Sequence, residues 1–387
     1  MRRCLVFIVG IFATLVALAA PAPAQIGKRI TLLANSPEDK AVQEINAVSD
    51  PAQKLALMDK FLAQYGTGDM AVVAYELYIS YYQSGKNPDK VLEYSEKLLG
   101  VDPDNFAAGV SLVRAAQEKG DTQKLFTAGE RVAAILARYK GSAPPEGAQD
   151  AASWEQKKAR ELAEAQDNIQ YVQYTLYAAG YQTRDPAARA VLLERFATAF
   201  PDSPYIGNAQ ALVAAAYQQA QNYPKMLEFA QKILAGDANN LSMLLLLSDY
   251  FSERGEQLAK AEEYSKKALG LLEAAVKPAG VADDQWQRQV GLQKGLAWSA
   301  LGQVYIHHKR DAQALEALRA AAPLLKSDAV TYARNQYRMG FALLNLKRVA
   351  EARAALAEAA AIDSPYRALA QEKLKSLPAA APAKKRS

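Results

Sequence analysis

At 387 residues, half of them hydrophobic, the chain has ample material for a buried core, yet it exceeds what one compact globule usually holds. The formal charge is +5, two units of which are Arg2 and Arg3, and basic residues alternate with acidic ones; this argues against a nucleic-acid partner. The only cysteine, Cys4, leaves no disulfide framework to expect.

Met1-Arg2-Arg3 is a short basic start, followed by an apolar run from Leu5 to Ala20. Ala22-Pro23-Ala24 then offers a small-residue cleavage site before Gln25, which predicts a secretory signal peptide over 1–24. The run is short for an uncleaved anchor, which would need about 20 residues. No second apolar run is long enough to cross a membrane, so any membrane contact is expected only through an uncleaved leader. The expected location is periplasmic or secreted, in a bacterial envelope.

Residues 25–35 read as a loose lead-in. Ser36-Pro37 opens the first helix, with Ser36 as cap and Pro37 at the first helical position. Helical periodicity then runs on to residue 140, with Pro88 opening one helix and Gly120 at a turn. Residues 141–152, rich in Gly, Pro and small side chains, break the pattern as a loop. Helices resume at Ser153-Trp154 and continue to residue 276, with one turn over Gly180 to Asp185 before Pro186 opens the next helix and another at Gly255. A second loop covers 277–284, and helices occupy 285–377, the last of them a capping helix from Tyr366. Residues 378–387 (PAAAPAKKRS) read as a disordered basic tail.

The chain also matches itself. A shift of 135 residues aligns 57–120 with 192–255 without a gap, pairing Phe61 with Phe196, Tyr82 with Tyr217, Asn87 with Asn222, Asp102 with Asp237, Asn105 with Asn240 and Gly120 with Gly255. Identity over this stretch is several times the roughly one in fifteen that average composition yields. The stretches 25–140 and 153–276 thus read as copies of one multi-helix block.

Residues 295–326 carry Trp298, Leu301, Gly302 and Tyr305 at W-x2-L-G-x2-Y spacing, then Ala314, Leu318 and Ala321. Ala314 and Ala321 share one stripe of a helix, where a small residue lets two backbones approach. This pattern resembles the tetratricopeptide repeat, a helix-turn-helix of about 34 residues. The resemblance extends over 55–377, most specifically in the last two units, where Gly340, Ala352, Leu356 and Ala359 repeat it. The segment RFATAFPDSPY from Arg195 resembles helical-repeat proteins of bacterial envelopes.

The resemblance implies an all-α fold, a right-handed superhelix of antiparallel helix pairs (a TPR-like α-solenoid), whose first helices line a concave face. Mapped onto this sequence, that face would present Glu76, Ser80, Gln83, Gln218, Ser299, Gln303, His307, Arg334, Tyr337 and Phe341 to a partner. The family's carboxylate clamp needs Lys where Glu76, Ala211 and Ser299 stand, and Asn where Ser80 and Ala215 stand, so that binding mode is not expected.

No catalytic, cofactor or metal site is expected. His307 and His308, the only histidines, point about 100° apart on a helix and could not chelate one ion together. No Gly-rich phosphate loop is present. Tyrosines recur at helical spacing (Tyr75, Tyr78, Tyr81, Tyr82; Tyr171, Tyr174, Tyr177, Tyr181) and read either as core or as aromatic anchors for a ligand. The expected function is a non-enzymatic scaffold for a protein or peptide, the alternative a glycan- or cell-wall-binding module. An enzyme has the least support.

Overall fold

The computed structural model describes residues 26–28, 30–145 and 150–378; the leader and nearly all of the tail lie outside them. Among the described residues there are eighteen α-helices and no strand. They are α1 (Pro37–Ala47), α2 (Pro51–Tyr65), α3 (Asp69–Ser84), α4 (Pro88–Val101), α5 (Phe106–Glu118) and α6 (Thr122–Gly141). Next come α7 (Ala151–Glu164), α8 (Gln166–Gln182), α9 (Pro186–Ala199), α10 (Ile206–Gln219), α11 (Tyr223–Gly236) and α12 (Leu241–Arg254). The last six are α13 (Leu258–Glu273), α14 (Asp283–His307), α15 (Asp311–Leu325), α16 (Ala329–Asn345), α17 (Val349–Ala361) and α18 (Tyr366–Ser376). Two compact units divide within α10, the first ending at Val213 and the second beginning at Ala214.

Local sequence sets where helices begin. Ser36, Asp50, Asn87, Asn105, Asp121, Asp150, Asp185, Asn222, Asn240 and Asp328 each accept the backbone N–H three residues on. Each satisfies one of the orphan donors at a helix start. Proline follows in the first turn of α1, α2, α4, α9 and α11, where its missing N–H costs nothing.

Most hairpin turns share one geometry. Lys86, Gly120, Gln221, Gly255, Lys309 and Lys347 all have positive φ, between 51° and 67°. After each, the next residue's N–H reaches back to a carbonyl five residues earlier, as from Asn87 to Tyr82 (2.9 Å) and from Arg310 to Tyr305 (2.8 Å). This six-to-one bond reverses the chain after α3, α5, α10, α12, α14 and α16, whereas the turn from α8 to α9 closes from the Thr183 N–H to the Gly180 carbonyl at 3.2 Å. Only two of the six positions hold glycine, so the other four carry no local signal of a turn.

Within the N-terminal unit α3/α4, α5/α6 and α8/α9 form hairpins; within the C-terminal unit α12/α13, α14/α15 and α16/α17 do so, with α18 on α16 and α17. The crossing residues are those of the repeat pattern. A Cβ on Gly302 would fall 2.6 Å from Leu318 Cγ, and one on Gly340 would fall 2.6 Å from Leu356 Cγ. Ala314, Ala321, Ala352 and Ala359 are fully buried along the same seams. The duplication holds helix by helix: α4 and α11 (Pro88–Val101 and Tyr223–Gly236) coincide under the 135-residue shift, and their caps Asn87 and Asn222 coincide with them.

Helix α7 stands apart from the pairing. It is fixed to the end of α6 by Trp154, whose ring meets Tyr139 edge-on at 6.0 Å and whose Nε1 donates to the Ser142 carbonyl at 3.0 Å. The buried Lys158 ammonium donates to the carbonyls of Lys140 (3.0 Å) and Ser142 (3.1 Å), a cation placed against a helix C-terminus.

One expectation is corrected. The lead-in is not loose from its first residue: Ile26 is buried, and its carbonyl accepts the Phe106 N–H at 2.9 Å. The sequence hid this because the anchor acts 80 residues away from its partner.

Candidate functional site

The first helix of each pair carries the residues mapped as a partner surface, and each unit treats them differently. In the N-terminal unit, Ser80 is exposed, and the Gln83 amide donates to Ser111 Oγ at 3.0 Å between α3 and α5. Glu76 is half-buried. Burial raises its pKa, a hydrogen bond from Asn105 opposes the rise, and the Asp102 charge adds to it. A carboxyl raised in the folded state favours folding most below its unfolded pKa of about 4.3, and that contribution is lost as pH rises through the folded value. Glu76→Gln is therefore expected to raise the melting temperature at pH 7 and to change it little near pH 4. Equal shifts at both pH values in a thermal melt would contradict this.

The tyrosines divide by helix. On α3, Tyr78 is fully buried; its hydroxyl donates to Asp59, and its ring stacks on Tyr94 with centroids 4.2 Å apart. On α8 the stripe faces outward: Tyr174 is 56% exposed and Tyr181 57%. Tyr177 between them stacks on Tyr205 at 5.1 Å and 11°, and lies 6.3 Å from Tyr181; Tyr174 lies 5.9 Å from Tyr205. At the other end the Arg114 guanidinium covers Tyr171 at 4.2 Å. The result is a row of rings, braced from behind and open on the other side.

In the C-terminal unit, the corresponding surface is closed by charge. Arg338 of α16 is 3% exposed; it donates to Ser299 Oγ of α14 at 2.9 Å and pairs with Glu253 of α12. Arg334, one turn earlier, donates to Asp249 Oδ2 at 2.9 Å and lies 3.8 Å from Glu253. Asp249 Oδ1 has Arg338 at 3.6 Å, an ion pair beyond hydrogen-bonding length. Burial acts to raise the Asp249 pKa, but the two guanidiniums outweigh it and hold the carboxyl below its usual range. Two acids four apart on α12 thus meet two arginines four apart on α16, across α14.

The mapped residues fall accordingly. Ser299 is fully buried beneath Arg338, and Arg334 is committed to Asp249. Tyr337 and Phe341 pack edge-on at 5.1 Å, with Tyr366 of α18 5.8 Å from Tyr337 and Lys373 4.6 Å over Phe341. Gln303 and His307 are 3.2 Å apart, and His307 Nε2 lies 2.9 Å from the Ser252 carbonyl. Gln218 is exposed on α10. Sequence reasoning missed Asp249, Glu253 and Arg338; the only available signal was the matched four-residue spacing of acids and bases.

A shallow groove of about 570 Å³ between α6 and α9 is floored by Ala133, Ala134 and Ala137, with Arg195 paired to Glu130 at 2.7 Å. Among the described residues no group of three or more His, Cys, Asp or Glu side chains gathers as metal ligands, and no helix is long and apolar enough to cross a membrane.

No protein-family model matches the chain, and no curated protein matches it in sequence. Among solved structures it is similar to the TPR domain of P58(IPK), at 11% identity over 88% of this chain and 98% of that one, with a TM-score of 0.29. It is similar to yeast Tom70, at 12% identity over 87% and 86%, with a TM-score of 0.29. It is also similar to a monomeric mutant of IFIT1 with m7Gppp-AAAA, at 11% identity over 86% and 81%, with a TM-score of 0.34. The chain's own geometry carries the fold: antiparallel helix pairs, one shared turn, and the glycine–leucine crossings at Gly302–Leu318 and Gly340–Leu356. On that geometry the chain is a tetratricopeptide-like, all-helical repeat protein of the α-solenoid class.

Proposed function

We propose that the chain is a non-enzymatic docking scaffold of a bacterial envelope, exported by its leader and binding a protein or peptide on the first-helix face of the N-terminal unit. One observation carries this reading: the tyrosine row on α8, with Tyr174 and Tyr181 more than half exposed. Large rings left open to water on a braced helix are hot-spot material, because they bury much area at little entropic cost. The closed face of the C-terminal unit supports the same choice of unit, since Ser299, Arg334 and Arg338 are already consumed internally. Export is supported by the basic start, the apolar run and the Ala22-Pro23-Ala24 site.

The test is co-purification from envelope extract with the intact chain and with Tyr174→Ser/Tyr181→Ser. Recovery of the specific partner is expected to fall at least tenfold in the double variant, with helix content unchanged. Equal recovery would remove the tyrosine row from the interface. A chain that instead sediments with purified cell wall, and stops doing so in the double variant, would transfer the same rings to a glycan.

A further inference from the structure

Residues 26–28 form a strap over the turn that joins α4 to α5. The Ile26 side chain is 1% exposed, and its carbonyl accepts the Phe106 N–H at 2.9 Å. Gly27 has φ +124°, and a Cβ there would fall 2.9 Å from Asn105 Cα and 3.1 Å from the Asp104 carbonyl. The Lys28 N–H donates to Asp102 Oδ2 at 3.0 Å, and its ammonium donates to Asp69 Oδ1 at 3.1 Å. One buried aliphatic anchor, two main-chain hydrogen bonds, a glycine tight against backbone, and a cation on an acid are the means by which folded domains read a peptide segment.

In the duplicated block, among the described residues, no segment covers the carboxylate of the same turn. Asp102, Asn105 and Phe106 correspond to Asp237, Asn240 and Leu241. Both turns close alike, Asn105 N–H to the Asp102 carbonyl at 3.1 Å and Asn240 N–H to the Asp237 carbonyl at 3.0 Å, and each Asn caps the following helix. Yet Asp237 is exposed and accepts the Asn239 N–H at 3.0 Å, whereas Asp102 is buried under the strap. Leu241 is half-buried, whereas Phe106 is fully buried. The turn therefore folds without a strap, and its carboxylate then has a local donor to fall back on. The strap is an occupant of this site and not a requirement of the turn.

We propose that the α4–α5 turn and the start of α3 form a docking groove for a partner's segment of the chemistry aliphatic–glycine–cation, and that Ile26-Gly27-Lys28 is its resident occupant, which the partner displaces. The proposal rests on the scaffold reading and names a class of ligand for it. Charge favours such a segment, since Asp69 and Asp102 both face it. The strap competes from a short tether to α1, which corresponds to an effective concentration on the order of millimolar. A free segment therefore binds weakly until the strap is unseated.

The test is fluorescence anisotropy with a labelled peptide of residues 25–33 (QIGKRITLL), titrated with the chain from Gln25 to Ser387 and with its Gly27→Val and Ile26→Asp variants. Each variant is expected to bind the peptide at least tenfold more tightly than the unsubstituted chain, and a peptide carrying G27V is expected to bind none of them. Variants that keep their circular dichroism but bind no more tightly would overturn the proposal. So would loss of helix in both variants, which would make the strap a folding element. A concentration-dependent dimer of the unsubstituted chain that exchanges straps would also overturn it, placing a second copy where the partner belongs. The scaffold reading has its own readout in the Tyr174/Tyr181 variant, so either can fail alone.

Discussion

Arg338→Ala is expected to lower the stability of the C-terminal unit by about 1–3 kcal/mol, the cost of leaving buried polar groups without their donor. The truncation leaves Glu253 and Ser299 without their donor and Asp249 with a single guanidinium. Because the chain comprises two compact units, the loss is read locally, by hydrogen exchange of α12, α14 and α16 amides, and not from one global midpoint. Protection unchanged within about 1 kcal/mol would mean the network adds nothing. Arg338→Met with Ser299→Ala is expected to recover part of the loss, since the buried hydroxyl is then no longer left without its donor. The pH dependence has a definite sign. Asp249 is held below its usual pKa, so its contribution is present above the unfolded value of about 3.9 and is lost as pH falls from there through the folded value. The difference between the parent and Asp249→Asn should therefore narrow in acid.

The second large effect is expected at the helix crossings. Gly302→Val should cost about 3 kcal/mol, at the upper end of overpacking penalties. Its Cβ would sit 2.6 Å from Leu318 Cγ and 2.7 Å from Cδ2, and Leu318 is fully buried with nowhere to retreat. Gly340→Val should behave alike, because Leu356 presents the same two contacts at 2.6 and 2.7 Å. Gly270→Ala on α13 is the contrast: nothing lies within 4 Å of its Cβ, so reduced freedom of the unfolded chain should stabilise by about 0.4–1 kcal/mol. Hydrogen exchange across α13–α17 separates the cases. A Gly302→Val chain as protected as its parent would mean the helices can part without loss.

These crossings were legible before any coordinates. Gly302 and Leu318, like Gly340 and Leu356, belong to a short-range pattern in which a missing side chain on one helix receives a bulky one from the next. The helix starts were legible for the same reason, since Ser36, Asp50 or Asn87 acts on a backbone group only three residues away. The turns were half legible: Gly120 and Gly255 announce a left-handed residue, but Lys86, Gln221, Lys309 and Lys347 adopt it against their intrinsic preference. There the closing hydrogen bond and the packed pair hold the conformation.

By itself, then, the sequence determined that this is a chain of paired helices, duplicated in one block, with small residues at the seams. Those properties depend on neighbours within a few turns of helix. Tertiary structure alone decided that Tyr78 is core while Tyr174 is open, although both recur at the same spacing, because what lies opposite a helix face is not written on that helix. It alone brought Arg334 and Arg338 to Asp249 and Glu253 across 85 residues, burying Ser299, and folded Ile26 onto Phe106. Charge and burial act through space, and a linear pattern records distance along the chain only.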